Sequence, residues 1–309
     1  MAIRRWRKLA ILHKIEATYG ADAAPAAADA MVASNVTFTP MEGEEVNRDL
    51  LLPYMGNQGV LLAGLYGRLE FDVEIAGAGA AGDVPAYGSL LRVSGLSETV
   101  TASTSVEYSV VEDDQESGSL YFISEKVQHV LLGGRATFTM TFTPKGIPKL
   151  RFTYQGLLGT ISDIGAMPAV DQSAWTKPVI VSKANTTMSL HGWSAVAESL
   201  SVDLGNTLTP RFLIGDEVMA ITDRSSTGTA VVEARDVATV NWFDIAQQRT
   251  RGALALVHGT VAGNIVEVAA PKVEIGRPTQ GQTDGIVNYS LPLMLCPDAG
   301  MDELVLTVR

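Results

Sequence analysis

Residues 136–143 read Ala136-Thr137-Phe138-Thr139-Met140-Thr141-Phe142-Thr143, and residues 69–75 read Leu69-Glu70-Phe71-Asp72-Val73-Glu74-Ile75. In both runs apolar and polar side chains alternate one for one, the period of a pleated strand with one face on a core and the other on solvent. Outward from them the same period recurs at Val36 and Phe38; at Val106, Tyr108 and Val110; at Leu150, Phe152 and Tyr154; at Leu200, Val202 and Leu204; and at Val287, Tyr289, Leu291 and Leu293. These strands suffice for two sandwich-like sheets, so the chain is expected to be all-β. Only two stretches read as helices. One spans 241–251, with Asn241 as N-cap, Asp244 facing the free amides and Gly252 as a stop; the other spans 85–93, with Asp83 near its start and Gly95 past its end.

The order of these features occurs twice, which is the mark of an internal repeat. A strand at Val36–Phe38 leads into a long apolar-tipped segment from Asn47 to Gly67, then a strand, a helix and paired strands. A strand at Leu200–Leu204 leads into Asn206–Gly228 and the same succession. Arg48 matches Arg211 and Gly67 matches Gly228, a near-constant separation of about 160 residues. Past the helix the separation shrinks, so the first copy carries extra residues, placed in 97–125. The expected organisation is an N-terminal arm (1–34), a first β domain (35–164), a linker with a lead-in strand (165–198) and a second β domain (199–309), with one short helix per domain. The boundary is placed in Ile161–Pro178, which lacks periodicity and holds Gly165, Pro168 and Pro178. The other reading is a single sandwich of many strands.

Composition narrows the function. Of 309 residues, 34 are acidic and 23 basic, a net charge of −11 that argues against a protein whose affinity comes from neutralising nucleic-acid phosphates. Charged residues are 18% of the chain, below the usual share, which suits a surface largely covered by neighbours. Cys296 is the sole cysteine, so no intrachain disulfide forms and nothing demands an oxidising compartment. The basic start has only Leu9–Leu12 as an apolar run, too short for a secretory signal. No run approaches the roughly 18 apolar residues of a membrane span, so none is expected.

Motifs for chemistry are weak. His13, His129, His191 and His258 lie far apart in the sequence, without metal-ligand spacing, and Ser189-Leu190-His191-Gly192-Trp193 holds no nucleophile elbow. Gly77-Ala78-Gly79-Ala80-Ala81-Gly82 satisfies GxGxxG, but the preceding strand is acidic on one face and Asp83 would repel a pyrophosphate, so a β-to-helix loop is the reading preferred. Glu70, Asp72 and Glu74 line one strand face with no basic partner evident in sequence; they read as solvated surface or as the lining of an aqueous channel that keeps DNA from sticking. Leu50, Leu51, Leu52, Tyr54 and Met55, and at the matching place Phe212, Leu213 and Ile214, form apolar clusters that either fold back on the core or bury against a partner.

Lys14-Ile15-Glu16-Ala17-Thr18-Tyr19-Gly20-Ala21-Asp22-Ala23-Ala24-Pro25, then Thr39-Pro40-Met41-Glu42-Gly43-Glu44-Glu45-Val46 and Leu51-Leu52-Pro53-Tyr54, resemble the major tail tube proteins of long-tailed phages, especially Mu-like siphophages. The likeness extends to Val181–Thr187 and Pro271–Gly276. It implies a β-sandwich with one flanking helix, a protruding hairpin contacting the adjacent ring, and sheets that combine across subunits around a lumen through which DNA passes without specific binding. Most single-domain members form hexameric rings, so two fused copies imply three chains per ring. Expected partners are the chain itself, tape measure and tail terminator proteins, with no membrane. The resemblance implies no catalytic, cofactor-binding or metal-ligating residue and no enzyme activity. The competing reading is a β-sandwich receptor- or carbohydrate-binding module of a tail tip or cell-surface protein, which would need an aromatic-lined groove from a chain only 6% aromatic.

Overall fold

A computed structural model describes residues 4–309. The Thr-alternating run, as far as Phe142, lies in a 16-residue strand, and three other strands reach 15 residues. In chain order the first half holds β1 (Leu9–Ile15), β2 (Ala30–Met31), β3 (Ala33–Asn47), β4 (Val60–Glu74), α1 (Gly88–Arg92), β5 (Leu96–Thr101), β6 (Ser105–Val110), β7 (Gly118–Ser124), β8 (Val127–Phe142) and β9 (Lys149–Asp163). The second half holds β10 (Thr186–Leu190), β11 (Trp193–Ser194), β12 (Ala197–Asp203), β13 (Asn206–Leu213), β14 (Asp216–Arg224), β15 (Thr227–Glu233), α2 (Trp242–Gln247), β16 (Arg251–His258), β17 (Val266–Ile275), β18 (Thr279–Thr283), β19 (Ile286–Cys296) and β20 (Val305–Val308). The fold is all-β with two short helices.

One antiparallel sheet runs through both halves in the order β3–β4–β9–β8–β12–β15–β19–β18. Its midpoint is the ladder between β8 and β12, where Thr141 stands opposite Ser201 and Thr139 opposite Asp203. Two further groups of strands complete the fold. β2, β1 and β7 continue from the first part of β8, while β5, β6, β20, β17, β16, β10 and β11 form the other. β8 serves two ladders because it bends at bulges between His129 and Leu131 and between Leu132 and Arg135, its start pairing with β7 and its end with β12.

The inward set of each strand is buried as alternation demands: Leu69, Phe71 and Val73 on β4, Phe138 and Met140 on β8, Leu150, Phe152 and Tyr154 on β9, Leu200 and Val202 on β12. They join Leu90 and Leu91 of α1, Tyr108 of β6 and Trp242 of α2 in one continuous cluster that draws on both halves. Phe152 sits between Phe71 and Phe138, at ring separations of 5.8 and 5.6 Å.

Three expectations are corrected. Part of the segment expected as an arm is built into the sheet: β1 pairs with β7 from Leu9–Ser124 to Ile15–Gly118, burying Ile11 and Leu12. Glu16, just beyond, is buried and its carboxylate accepts from the Ser117 and Ser119 hydroxyls and the Gly20 and Gly133 amides. Asn47–Gly67 is not a connection between strands but the outer part of one long β3–β4 hairpin. The helices are shorter than expected. Asn241 caps α2, its side chain accepting from the Asp244 amide at 3.1 Å, but Arg249 turns left-handed at φ 55° and ends it, leaving Gly252 inside β16. α1 starts after Tyr87 rather than near Asp83.

Replacing Phe152 by Ala should lower the free energy of unfolding by about 3–5 kcal/mol, because a ring with no exposed surface leaves a cavity between two others. Denaturant titration reads this as a lower midpoint at unchanged slope.

Candidate functional site

β4 pairs with β9 only between Tyr66 and Glu74, yet with β3 all the way out to Val60 opposite Asn47. The hairpin therefore leaves the sheet beyond Tyr66 and projects, closed by residues 48–59. Gln58 organises its tip: its side-chain oxygen accepts from the Leu50 amide and its NH2 donates to the Leu50 carbonyl. Around that tie, Leu51 and Met55 are fully exposed, Tyr54 is largely so, and Leu50 and Leu52 are partly so. Five large apolar side chains thus gather on a loop held by its own polar groups, outside the core.

β13 and β14 pair only with each other among the described residues, making a second hairpin that packs beside β8, β9 and β4 with its turn at Ile214-Gly215. Leu213 and Ile214 are exposed at that turn. Phe212 differs from them. It packs beside Tyr66 of the first hairpin, ring centroids 6.5 Å apart, and a Cβ on Gly64 would lie 2.9 Å from its ring. The second hairpin thus leans, by the residue beside its turn, on the first hairpin where that one leaves the sheet, and Leu213 and Ile214 stay bare. Tyr19 adds a tie, its hydroxyl accepting from the Met219 amide at 2.7 Å.

Both hairpins leave the same end of the sheet, since β3 continues outward past Phe38 and β12 passes into β13 beyond Asp203. At the opposite end, by Phe142 and the start of β12, an apolar cavity of about 720 Å³ opens among Phe142, Val181, Met188, Val196 and Leu200. One end of the molecule therefore presents apolar knobs and the other an apolar hollow.

Glu70 and Asp72 have basic partners that sequence could not show. Arg151, opposite Asp72 on β9, donates to Asp72 at 2.8 Å and to Glu70 at 2.7 Å. Lys149 lies 3.6 Å from Asp72, and Arg68 donates to Glu70 at 2.6 Å. Burial alone would raise the Asp72 carboxyl; the hydrogen bonds from Asn35 and Arg151, with the charges of Arg151 and Lys149, outweigh it and hold the group below the ordinary carboxylate range. The same face carries Glu74, which makes no ion pair among the described residues, together with Thr137, Thr139, Thr141, Ser201 and Asp203.

The candidate chemical motifs serve the fold. The Gly77 amide donates to the Asn264 side chain and the Gly79 amide to the Gly263 carbonyl, and a Cβ on Gly77 would lie 2.1 Å from the Gly263 oxygen. The glycines let two backbones touch, with no room for a side chain between them. His258 donates to the Val179 carbonyl and accepts from Thr186, His191 donates to the Val273 carbonyl, and His13 pairs with Ser89. No group of three His, Cys, Asp or Glu side chains among the described residues is placed to hold a metal. No helix among them is long and apolar enough to cross a membrane.

Sequence reading passed over β18, Thr279-Gln280-Gly281-Gln282-Thr283, which lacks any apolar alternation. The signal for it was Asp284-Gly285, both at positive φ in the tight turn to β19.

A family model described as phage tail tube protein matches residues 6–294. No curated protein matches the chain.

Because the folded-state value of Asp72 is depressed, its contribution to stability is present above the ordinary carboxylate value near pH 4 and is lost as pH falls through the lower folded value. Asp72→Asn should flatten that acid limb in urea melts taken between about pH 5 and pH 2. Arg151→Ala, removing a partly exposed cation, should cost about 1 kcal/mol at neutral pH.

Proposed function

The chain belongs to the phage tail tube protein family, and on that premise we propose that it is the repeating subunit of a tail tube, joining laterally into rings that stack on one another around a channel for DNA. Family membership makes it a structural component of the virion tail that assembles with itself and with other tail proteins. The carrying observation is the pair of hairpins with bare apolar tips at one end of the sheet. Leu51, Met55 and Ile214 are fully exposed in the free chain, Leu50, Leu52, Tyr54 and Leu213 partly so, and the apolar hollow lies at the other end. Knobs and hollow at opposite ends are unlike surfaces, so contact between copies is head-to-tail, and head-to-tail contacts that do not close generate open filaments.

Residues 35–164 and 199–309 are read as two tandem copies of one tube module, with three chains forming a ring of six modules. The repeated strand order and the paired hairpins support this. The β5–β6 hairpin has no counterpart between α2 and β16, in keeping with the extra residues assigned to the first copy. The polar face bearing Glu70, Asp72, Glu74, Arg151 and the Thr side chains of β8 is assigned to the lumen. Its cations Arg68, Lys149 and Arg151 are tied to Glu70 and Asp72, and the chain as a whole carries −11, so a DNA backbone meets few free cations and slides. Partners at the two ends and inside the tube are the tail terminator and tape measure proteins, with assembly in the host cytoplasm before genome ejection.

Concentrated protein should form hollow tubes under negative-stain electron microscopy, with rings whose mass equals three chains. Leu51→Ser combined with Met55→Ser should leave the unfolding midpoint of the free chain unchanged while abolishing stacking. Tubes that persist in this variant, or rings of six chains, would defeat the corresponding part of the proposal.

A further inference from the structure

The eight-strand order β3–β4–β9–β8–β12–β15–β19–β18 is a four-strand order written twice. Registers establish the match. Phe38 stands opposite Leu69 on β4 as Leu200 stands opposite Ala230 on β15. Asp72 faces Arg151 on β9 as Glu233 faces Asn288 on β19. Thr139 of β8 then faces Arg151 as Gly281 of β18 faces Asn288. So β3 corresponds to β12, and β8 to β18.

In the middle of the sheet the last strand of the first set meets the first strand of the second, as the β8–β12 ladder. At the two outer edges the same two kinds of strand are left over. Among the described residues β18 pairs with β19 alone and β3 with β4 alone. Every residue of β18 is exposed and none is charged, so this edge lacks the charges that usually guard a free strand.

We infer that β18 of one copy pairs antiparallel with β3 of the next in the register of the internal β8–β12 ladder. This rests on the tube reading and names its lateral contact. Carrying the register across places Met41 opposite Gly281, Pro40 opposite Gln282, Thr39 opposite Thr283 and Phe38 opposite Asp284. Thr39 and Thr283 then extend the polar face that Thr141 and Ser201 occupy inside the chain. The Thr283 hydroxyl already lies on that face, donating to Glu198. Pro40 takes the place of Val202. The Leu204 amide, two residues beyond Val202, donates to Phe138, so the amide at position 202 faces β8 as well. Pro40 has no amide hydrogen to offer, so the seam between chains has one donor fewer than the seam within them. The proline also guards the β3 edge against indiscriminate pairing before assembly. The two edges are different surfaces, so copies join in one direction, and a closed ring is the finite outcome.

The test is disulfide trapping in assembled full-length chain carrying Cys296→Ser. Thr39→Cys with Thr283→Cys should oxidise into covalent multimers whose ladder stops at the number of chains in a ring. Within one chain these positions sit on opposite edges of eight strands, about 34 Å apart, so no internal bond competes. Thr141→Cys with Ser201→Cys should close inside the chain without changing its size. Thr39→Cys with Thr279→Cys, offset by about 13 Å in the inferred register, should not link. If either Thr variant fails to fold, Pro40→Cys with Gln282→Cys reads the same register. Tubes or rings that form without the link between 39 and 283 or between 40 and 282, or that link equally through 279, overturn the register and leave the tube reading standing. A Cys296→Ser chain that stays monomeric at every concentration overturns both.

Discussion

The backbone ladder between β8 and β12 is the constraint on which the rest of the molecule depends. It joins two sets of strands into one sheet, so their apolar faces bury against a common core rather than two separate ones. Buried amides and carbonyls must be paired, and a sheet edge inside the molecule would leave a row of them unmet. Asn206 shows the same demand in a side chain: at the point where β12 gives way to the second hairpin, its amide donates to the Ser94 and Ala136 carbonyls. Because the ladder sets the two halves in register, both hairpins emerge from the same end.

That shared end gives the subunit its direction. Apolar tips stand at one end and an apolar hollow at the other, while the polar face between them carries its cations tied to Glu70 and Asp72. The energetics divide accordingly. The core holds the subunit together through burial of apolar surface, whereas Leu51, Met55 and Ile214 at the tips stay in solvent. Paired charges such as Arg151 with Glu70 and Asp72 contribute little stability but fix a polar surface in place. The histidines and the glycine-rich loop, which might have signalled a reaction, are taken up by packing and backbone hydrogen bonds.

The strand alternation, the all-β class, the two helix positions, the Asn241 cap and the apolar clusters at Leu50–Met55 and Leu213–Ile214 were legible in the sequence because each depends on residues close along the chain. Side-chain period reports which face is buried, and turn and cap residues report where a strand or helix ends. The repeated order of features was legible for the same reason, as was the likeness to tail tube proteins. What tertiary structure alone decided was pairing. That β1 enters the sheet, that Phe212 rests on the first hairpin, that Arg151 neutralises Glu70 and Asp72, and that β8 meets β12 while β18 and β3 remain open all depend on hydrogen bonds and contacts between residues distant in sequence. Backbone donors and acceptors are the same at every position, so the amino-acid order shows where strands are but not which of them meet.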